Sequence, residues 1–284
     1  LGSEFMPPLY EGTLLYMPTT LPSISITEAG KLLQIQNKII KQGPEVARVF
    51  GKAGRAETAT DPAPLEMAET VIILKPEKEW RPGMTIEKLI DELDRLNRYP
   101  GVSNAWTMPI KARVDMLTTG IRTPIGIKIF GKDIETLHTL GEELEKTLAM
   151  VPGTRSVYAE RLMNGYFLDF DIKRKEIARY GLSVMDVEEI IEMAVGGKNI
   201  STTIEGRERY SVNLRYAREL RDDVDKLKRV LVPTASGAHV PLAQIADINM
   251  VLGPAMIRDE NGMLSGYVYV DVAGRDIGRY VRDA

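Results

Sequence analysis

The sequence predicts an α+β fold built of two tandem split-βαβ, ferredoxin-like units, the second interrupted by an inserted mixed α/β segment. Three observations predict it. A seven-residue phrase running from proline to an aromatic residue or its equivalent occurs at positions 44, 100 and 152, ending at Phe50, Trp106 and Tyr158. Each copy follows an amphipathic helical stretch and reads as a tight turn into a strand, so a supersecondary unit recurs. The stretch 198–263 breaks this rhythm with threonine, glycine and β-formers, which marks it as an insertion.

The elements follow in order. Residues 13–17 form the opening strand candidate. The first helix starts near Thr27 as N-cap and sets Leu32, Ile35, Ile39 and Ile40 on one face. A strand over 67–74 leads to a second helix after Thr85, with Ile86, Leu89, Ile90, Leu93 and Leu96 in helical register. A third strand candidate, 123–130, leads to a helix after Asp133 carrying Ile134, Leu137, Leu140, Leu144 and Leu148. Another strand (166–172), a short helix (173–180) and a capped helix follow. In the last, Ser183 precedes Asp186 by three residues and Gly196-Gly197 closes the end. Hairpin turns are expected at Gly206-Arg207 and Ser236-Gly237. Beyond the insertion, 266–272 returns as a strand and 275–284 begins a helix, so the second unit is expected to stop short of its last strand.

Composition removes several function classes. The net charge of −3, from 37 basic and 40 acidic residues, comes without a basic stripe and so excludes nucleic acid as a partner. No apolar run reaches the ~18–20 residues that span a bilayer. The absence of cysteine excludes thiolate metal sites and thiol nucleophiles. His138 and His239 are too far apart to pair on zinc, and His138 is expected to face solvent. No phosphate loop, HExxH or Gly-x-Ser-x-Gly occurs, so no catalysis and no cofactor are expected. Thirteen methionines are many for this length, and most read as core filling.

Several longer phrases carry a family resemblance. They include Glu4-Phe5-Met6-Pro7, Tyr16-Met17-Pro18, Ala47-Arg48-Val49-Phe50-Gly51-Lys52 and Ala56-Glu57-Thr58-Ala59-Thr60-Asp61. Trp80-Arg81-Pro82-Gly83-Met84, Asp115-Met116-Leu117-Thr118-Thr119-Gly120-Ile121 and Val240-Pro241-Leu242 extend them. Together they resemble the heavy-metal branch of the RND efflux pumps, and within it the copper/silver type. The resemblance implies the second periplasmic loop of a proton-driven secondary transporter in a Gram-negative-type inner membrane. It implies an exit from a membrane helix over 1–11 (Gly2-Ser3-Glu4-Phe5 also reads as a cloning scar), and a first porter subdomain over 12–120. A second porter subdomain would cover 121–197 and 264–284, with a docking subdomain at 198–263. The expected partners are two further copies in a homotrimer, a periplasmic adaptor (membrane fusion protein) and an outer-membrane channel.

The same resemblance implies a methionine triad, Met67, Met116 and Met163, that holds Cu(I) or Ag(I) in the cleft between porter subdomains. Thioether sulfur is soft and neutral, which suits a soft monovalent ion. A divalent ion there would leave two uncompensated charges in a low-dielectric cleft. Glu66, Asp115, Glu160 and Arg161 are the charges expected to adjust attraction and release. Two alternatives stand beside this one: a divalent (Zn, Co, Ni) site using Glu66, Asp115 and Glu160, and a purely structural trimerisation and docking module with incidental methionines. Met17, Met108, Met185, Met193 and Met256 read as packing.

Overall fold

The computed structural model describes residues 10–55 and 63–284. The expectations for the membrane-helix exit, apart from residues 10 and 11, and for the 56–61 phrase lie outside them. The chain divides into two compact units, 1–165 with 252–284, and 166–251.

The first unit opens with β1 (Thr13–Tyr16), α1 (Ile26–Lys41), β2 (Val46–Ala53), β3 (Ala68–Leu74), α2 (Ile86–Leu96) and β4 (Trp106–Thr107). Hydrogen bonds order these strands β2-β3-β1-β4, each pair antiparallel, which is the expected split-βαβ arrangement. Side chains alternate along β1 with period two. Leu14 and Tyr16 pack with Ile40, Ile72, Leu89 and Leu93 beneath the two helices. Leu15 and Met17 point the other way, against Ala105 and Ala112. Ala112 belongs to α3 (Pro109–Thr119), a helix that the apolar spacing does not announce because its residue nearest the sheet is only alanine.

Two details of α1 differ from the sequence reading. Its N-cap is Ser25, whose hydroxyl accepts from the Glu28 amide, so the helix begins earlier than Thr27. Its buried centre is Gln36 rather than Ile35, which is 47% exposed. Gln36 is tolerated there because its Nε2 donates to Tyr16 Oη at 2.9 Å. Thr85 and Asp133 cap their helices as expected.

The second split unit starts with β5 (Ile125–Gly131), α4 (Ile134–Leu148) and β6 (Thr154–Ala159). His138 on α4 is only 18% exposed at its side chain and faces Glu142 at 3.6 Å, so it does not stand free in solvent.

The compact unit 166–251 contains most of β7 (Gly165–Ile172), then α5 (Arg174–Arg179), α6 (Val184–Ile191), β8 (Lys198–Glu205) and β9 (Glu208–Leu214). After these come α7 (Val224–Leu227), β10 (Leu231–Pro233), β11 (His239–Pro241), α8 (Leu242–Ile245) and β12 (Ala246–Gly253). β7 pairs with β12, and β10 with β11. Ile177, Val187, Leu227, Val232, Leu242 and Ile245 form the core. The capping box of Ser183 and Asp186 is present on α6. β8 and β9 form a separate ribbon turning at Gly206 (φ 65°), with every strand residue except Lys198 exposed.

The chain then returns to the first unit as β13 (Arg258–Glu260), β14 (Met263–Val272) and α9 (Ile277–Asp283). β14 lies antiparallel between β5 on one edge and β13 followed by β6 on the other. Val268 and Val270 pack with Leu148 and Tyr280 under the helices. The alternate residues Tyr267, Tyr269 and Asp271 are buried on the opposite face. That face joins the two halves of the unit: Ser156 donates to the Asn104 carbonyl at 2.7 Å, and Arg155 reaches both Asp271 and Asp91.

Candidate metal site

A narrow cleft of about 50 Å³ opens within the first unit. The first half contributes Thr19 and Met67 to it, the second half Tyr158, Glu160, Arg161, Arg258 and Tyr269. Arg122, on the connection between α3 and β5, completes the wall. The volume suits a bare ion or a few waters, not an organic molecule.

Met67 is 4% exposed. An isolated β-bridge to Thr19 fixes its backbone just before β3. Its sulfur accepts a hydrogen bond from Arg122 Nη1 at 2.8 Å, and Arg122 Nη2 donates to Thr19 Oγ1, also at 2.8 Å. The same guanidinium lies 4.1 Å from the centroid of the Tyr269 ring, a cation–π distance. Gly120 (φ 75°) ends α3 in the left-handed conformation and makes the turn that delivers Arg122.

The expected site residues are distributed unevenly. Met67, Glu66, Glu160 and Arg161 line the cleft. Met116, near the end of α3, and Met163, in the turn after β6, are half-buried and do not line it. Asp115 is buried and paired with Lys111 Nζ at 2.5 Å, away from the cleft. Arg122, Tyr269 and Thr19 line it without having been singled out by the sequence, and so does Met256, which the sequence reading had assigned to packing. Met256 offered only its thioether as a signal, and an arginine in a turn carries no periodic signature.

Charges in the cleft are largely matched. Glu160 accepts from Tyr269 Oη at 2.8 Å and from the Tyr267 amide at 3.2 Å, and pairs with Arg258 at 3.0 Å. Arg161 forms a two-pronged pair with Glu145 (2.7 and 2.9 Å) that raises the guanidinium pKa further. Burial alone would raise the Glu145 pKa, but the Arg161 hydrogen bond and the Ala159 amide together bring it below the ordinary value. Burial pushes the Tyr158 phenol up to about 12, against the lowering influence of Arg122 and Arg161. Glu66 makes no ion pair among the described residues.

The sequence model of the AcrB/AcrD/AcrF family matches residues 1–284. The chain belongs to that family. Within this AcrB/AcrD/AcrF family its likeness is to heavy-metal members. It is 49% identical to SilA of Salmonella typhimurium and 47% identical to the cation efflux system protein CusA of Escherichia coli (strain K12), each over 283 residues. It is 32% identical over 292 residues to the cobalt-zinc-cadmium resistance protein CzcA of Cupriavidus metallidurans. A crystal structure of a heavy metal efflux pump superposes with a TM-score of 0.91 at 26% identity, over 99% of this chain and 30% of that one. The match covers all of this chain but only 27% of the length of SilA and of CusA. The expected place in the heavy-metal branch of the RND transporters therefore holds, as does the tandem ferredoxin-like fold.

Proposed function

We propose that this chain is the periplasmic porter and docking region of a proton-driven Cu(I)/Ag(I) efflux pump, an antiporter rather than an enzyme. The observation that carries the metal is the buried thioether of Met67 facing a cleft sized for an ion. Met116 and Met163 are its partners in a triad that closes on the ion. Met163 adjoins Leu162, which lines the cleft, and Met116 lies one turn before the Gly120 turn leading to Arg122. Three neutral sulfurs leave a single net charge on a bound monovalent ion, so capture by softness and ready release are compatible. The greater identity to SilA and CusA than to CzcA supports the same choice.

Two of the three carboxylates of the divalent alternative are already engaged, Asp115 by Lys111 and Glu160 by Arg258, so a divalent site using them with Glu66 would have to break both pairs. Titration of Ag(I) and of Zn(II) into the chain in chloride-free buffer decides between them. One equivalent of silver, lost in Met67→Leu and weakened at least tenfold in Met116→Ala and Met163→Ala, with no zinc uptake, is the expected result. Zinc binding that survives all three substitutions overturns it.

For residues 198–263 we propose the docking role, in a trimer that engages a periplasmic adaptor and, through it, an outer-membrane channel. The β8–β9 ribbon exposes Ile200, Ile204, Tyr210, Val212 and Leu214, apolar surface suited to a protein partner. Ile204→Asp and Val212→Asp in the full-length pump should reduce adaptor co-purification while leaving metal binding by the chain intact.

A further inference from the structure

We propose that Arg122 is a resident cation of the cleft, and that ion capture is an exchange in which the incoming soft cation displaces the Arg122 guanidinium from Met67. This rests on the reading of Met67 as a ligand. A thioether offers its lone pairs to a hydrogen-bond donor or to a metal ion, and here Arg122 Nη1 takes that position at 2.8 Å. The guanidinium is anchored by Thr19 Oγ1 and by the Tyr269 ring, both on buried residues. It is therefore held by one hydroxyl, one sulfur and one aromatic face, with no carboxylate among these contacts. A guanidinium paired with a carboxylate gains the attraction of a full opposite charge in addition to its hydrogen bonds, and Arg122 lacks that gain, so this cation is held only as firmly as an exchangeable occupant requires. The other two arginines of the cleft differ, since Arg161 and Arg258 are bound to Glu145 and Glu160.

The consequences are chemical. A guanidinium does not lose its charge at working pH, so it cannot vacate the sulfur by deprotonation and has to swing away. With Arg161 offset by Glu145, Arg122 and Arg258 balance Glu66 and Glu160 in the lining, so while Arg122 occupies the sulfur the cleft offers a second cation no net negative charge. Withdrawal of Arg122 uncovers the sulfur and at the same time leaves one negative charge unmatched to attract the incoming ion. Its return competes directly for Met67 and drives release. Affinity is thereby set below what the thioethers alone would give.

The test is silver titration of the intact chain in chloride-free buffer, with stopped-flow release to a silver chelator. Arg122→Gly should bind Ag(I) at least tenfold more tightly than wild type and release it more slowly. Methylguanidinium at millimolar concentration should reverse much of that gain, a rescue that a merely structural role would not show. Thr19→Val, which loosens the anchor but keeps the charge, should tighten binding by a smaller factor. Should Arg122→Gly be poorly folded by circular dichroism, Arg122→Gln and Thr19→Val carry the same comparison. If Met67→Leu abolishes silver binding while the Arg122 and Thr19 variants bind with unchanged or weaker affinity, the exchange is wrong and the ligand assignment stands. If Met67→Leu retains silver, or neither wild type nor any Arg122 variant binds it, both are wrong.

Discussion

Asp271 and Glu45 are both buried carboxylates, and their surroundings push them in opposite directions. Asp271, 2% exposed on β14, has its pKa pushed up to about 7 by burial, against the lowering influence of Arg155 and with further raising from Asp94. Arg155 stands at 3.5 Å, too far for a good hydrogen bond, and Asp271 Oδ2 has none among the described residues. The native state therefore holds a proton that the unfolded chain releases near pH ~4. Stability from this residue is present at low pH and is lost as pH rises through about 7. Asp271→Asn should flatten that dependence and raise stability near pH ~8 by on the order of 2–3 kcal/mol. Urea midpoints at several pH values measure it, and identical pH profiles for the two proteins would sink the idea. Glu45 is fully buried but receives Arg81 Nε and Nη2 at 2.7 and 3.0 Å, and that hydrogen bonding holds its pKa below the ordinary value. Its contribution is present at neutral pH and is lost on acidification. Glu45→Gln should lower stability at neutral pH by about 2 kcal/mol, with the difference shrinking toward pH ~3.

Among the elements, α2 carries a polar cluster through the core. Asp94 Oδ1 accepts from Trp106 Nε1 at 2.9 Å and from Asn104 Nδ2 at 3.1 Å, and Asn104 Oδ1 accepts from Tyr16 Oη at 2.8 Å. Asp94→Leu strands two buried donors and should cost about 2–4 kcal/mol, with faster amide exchange in β4 and β1 than Leu96→Ala produces. An equal exchange rate in both variants would place Asp94 outside the support of β4. The helices readable from sequence are those whose ends carry a side-chain cap and whose apolar stripe is long, as at Thr85, Asp133 and Ser183. α3 has no side-chain cap at its start and a buried alanine where a leucine would have given a signal. Gln36 and Asp94 are polar residues at core positions, so hydrophobic spacing alone draws the stripe one residue off centre. The place of Met67 in the cleft was anticipated because its phrase resembles a family, and that of Arg122 was not, because it depends on where the Gly120 turn aims the side chain.

For the whole molecule, the three proline phrases made the tandem architecture readable, since a repeated unit of this kind has few ways to bury its faces. The expected return of 266–272 as a strand of the second unit holds: β14 lies between β5 and β6 as β3 lies between β1 and β2. It brings the tyrosine face that walls the cleft. Because the cleft lies in the first unit, silver at ~100 times its Kd should stabilise that unit by about 2.7 kcal/mol. Calorimetry should then show a raised transition in wild type and none of that rise in Met67→Leu. A shift of equal size in both proteins would mean that silver binds elsewhere. One further property follows from the sheet order, in which β5 is bonded to β14 along one edge and to no strand along the other among the described residues. Its sequence, Ile-Gly-Ile-Lys-Ile-Phe-Gly, is β-prone, with Lys128 as its one charge. An open edge of that kind is a template for another strand. Handled at high concentration, the isolated chain should therefore self-associate along β5, and replacing the exposed Phe130 with lysine should keep it dispersed.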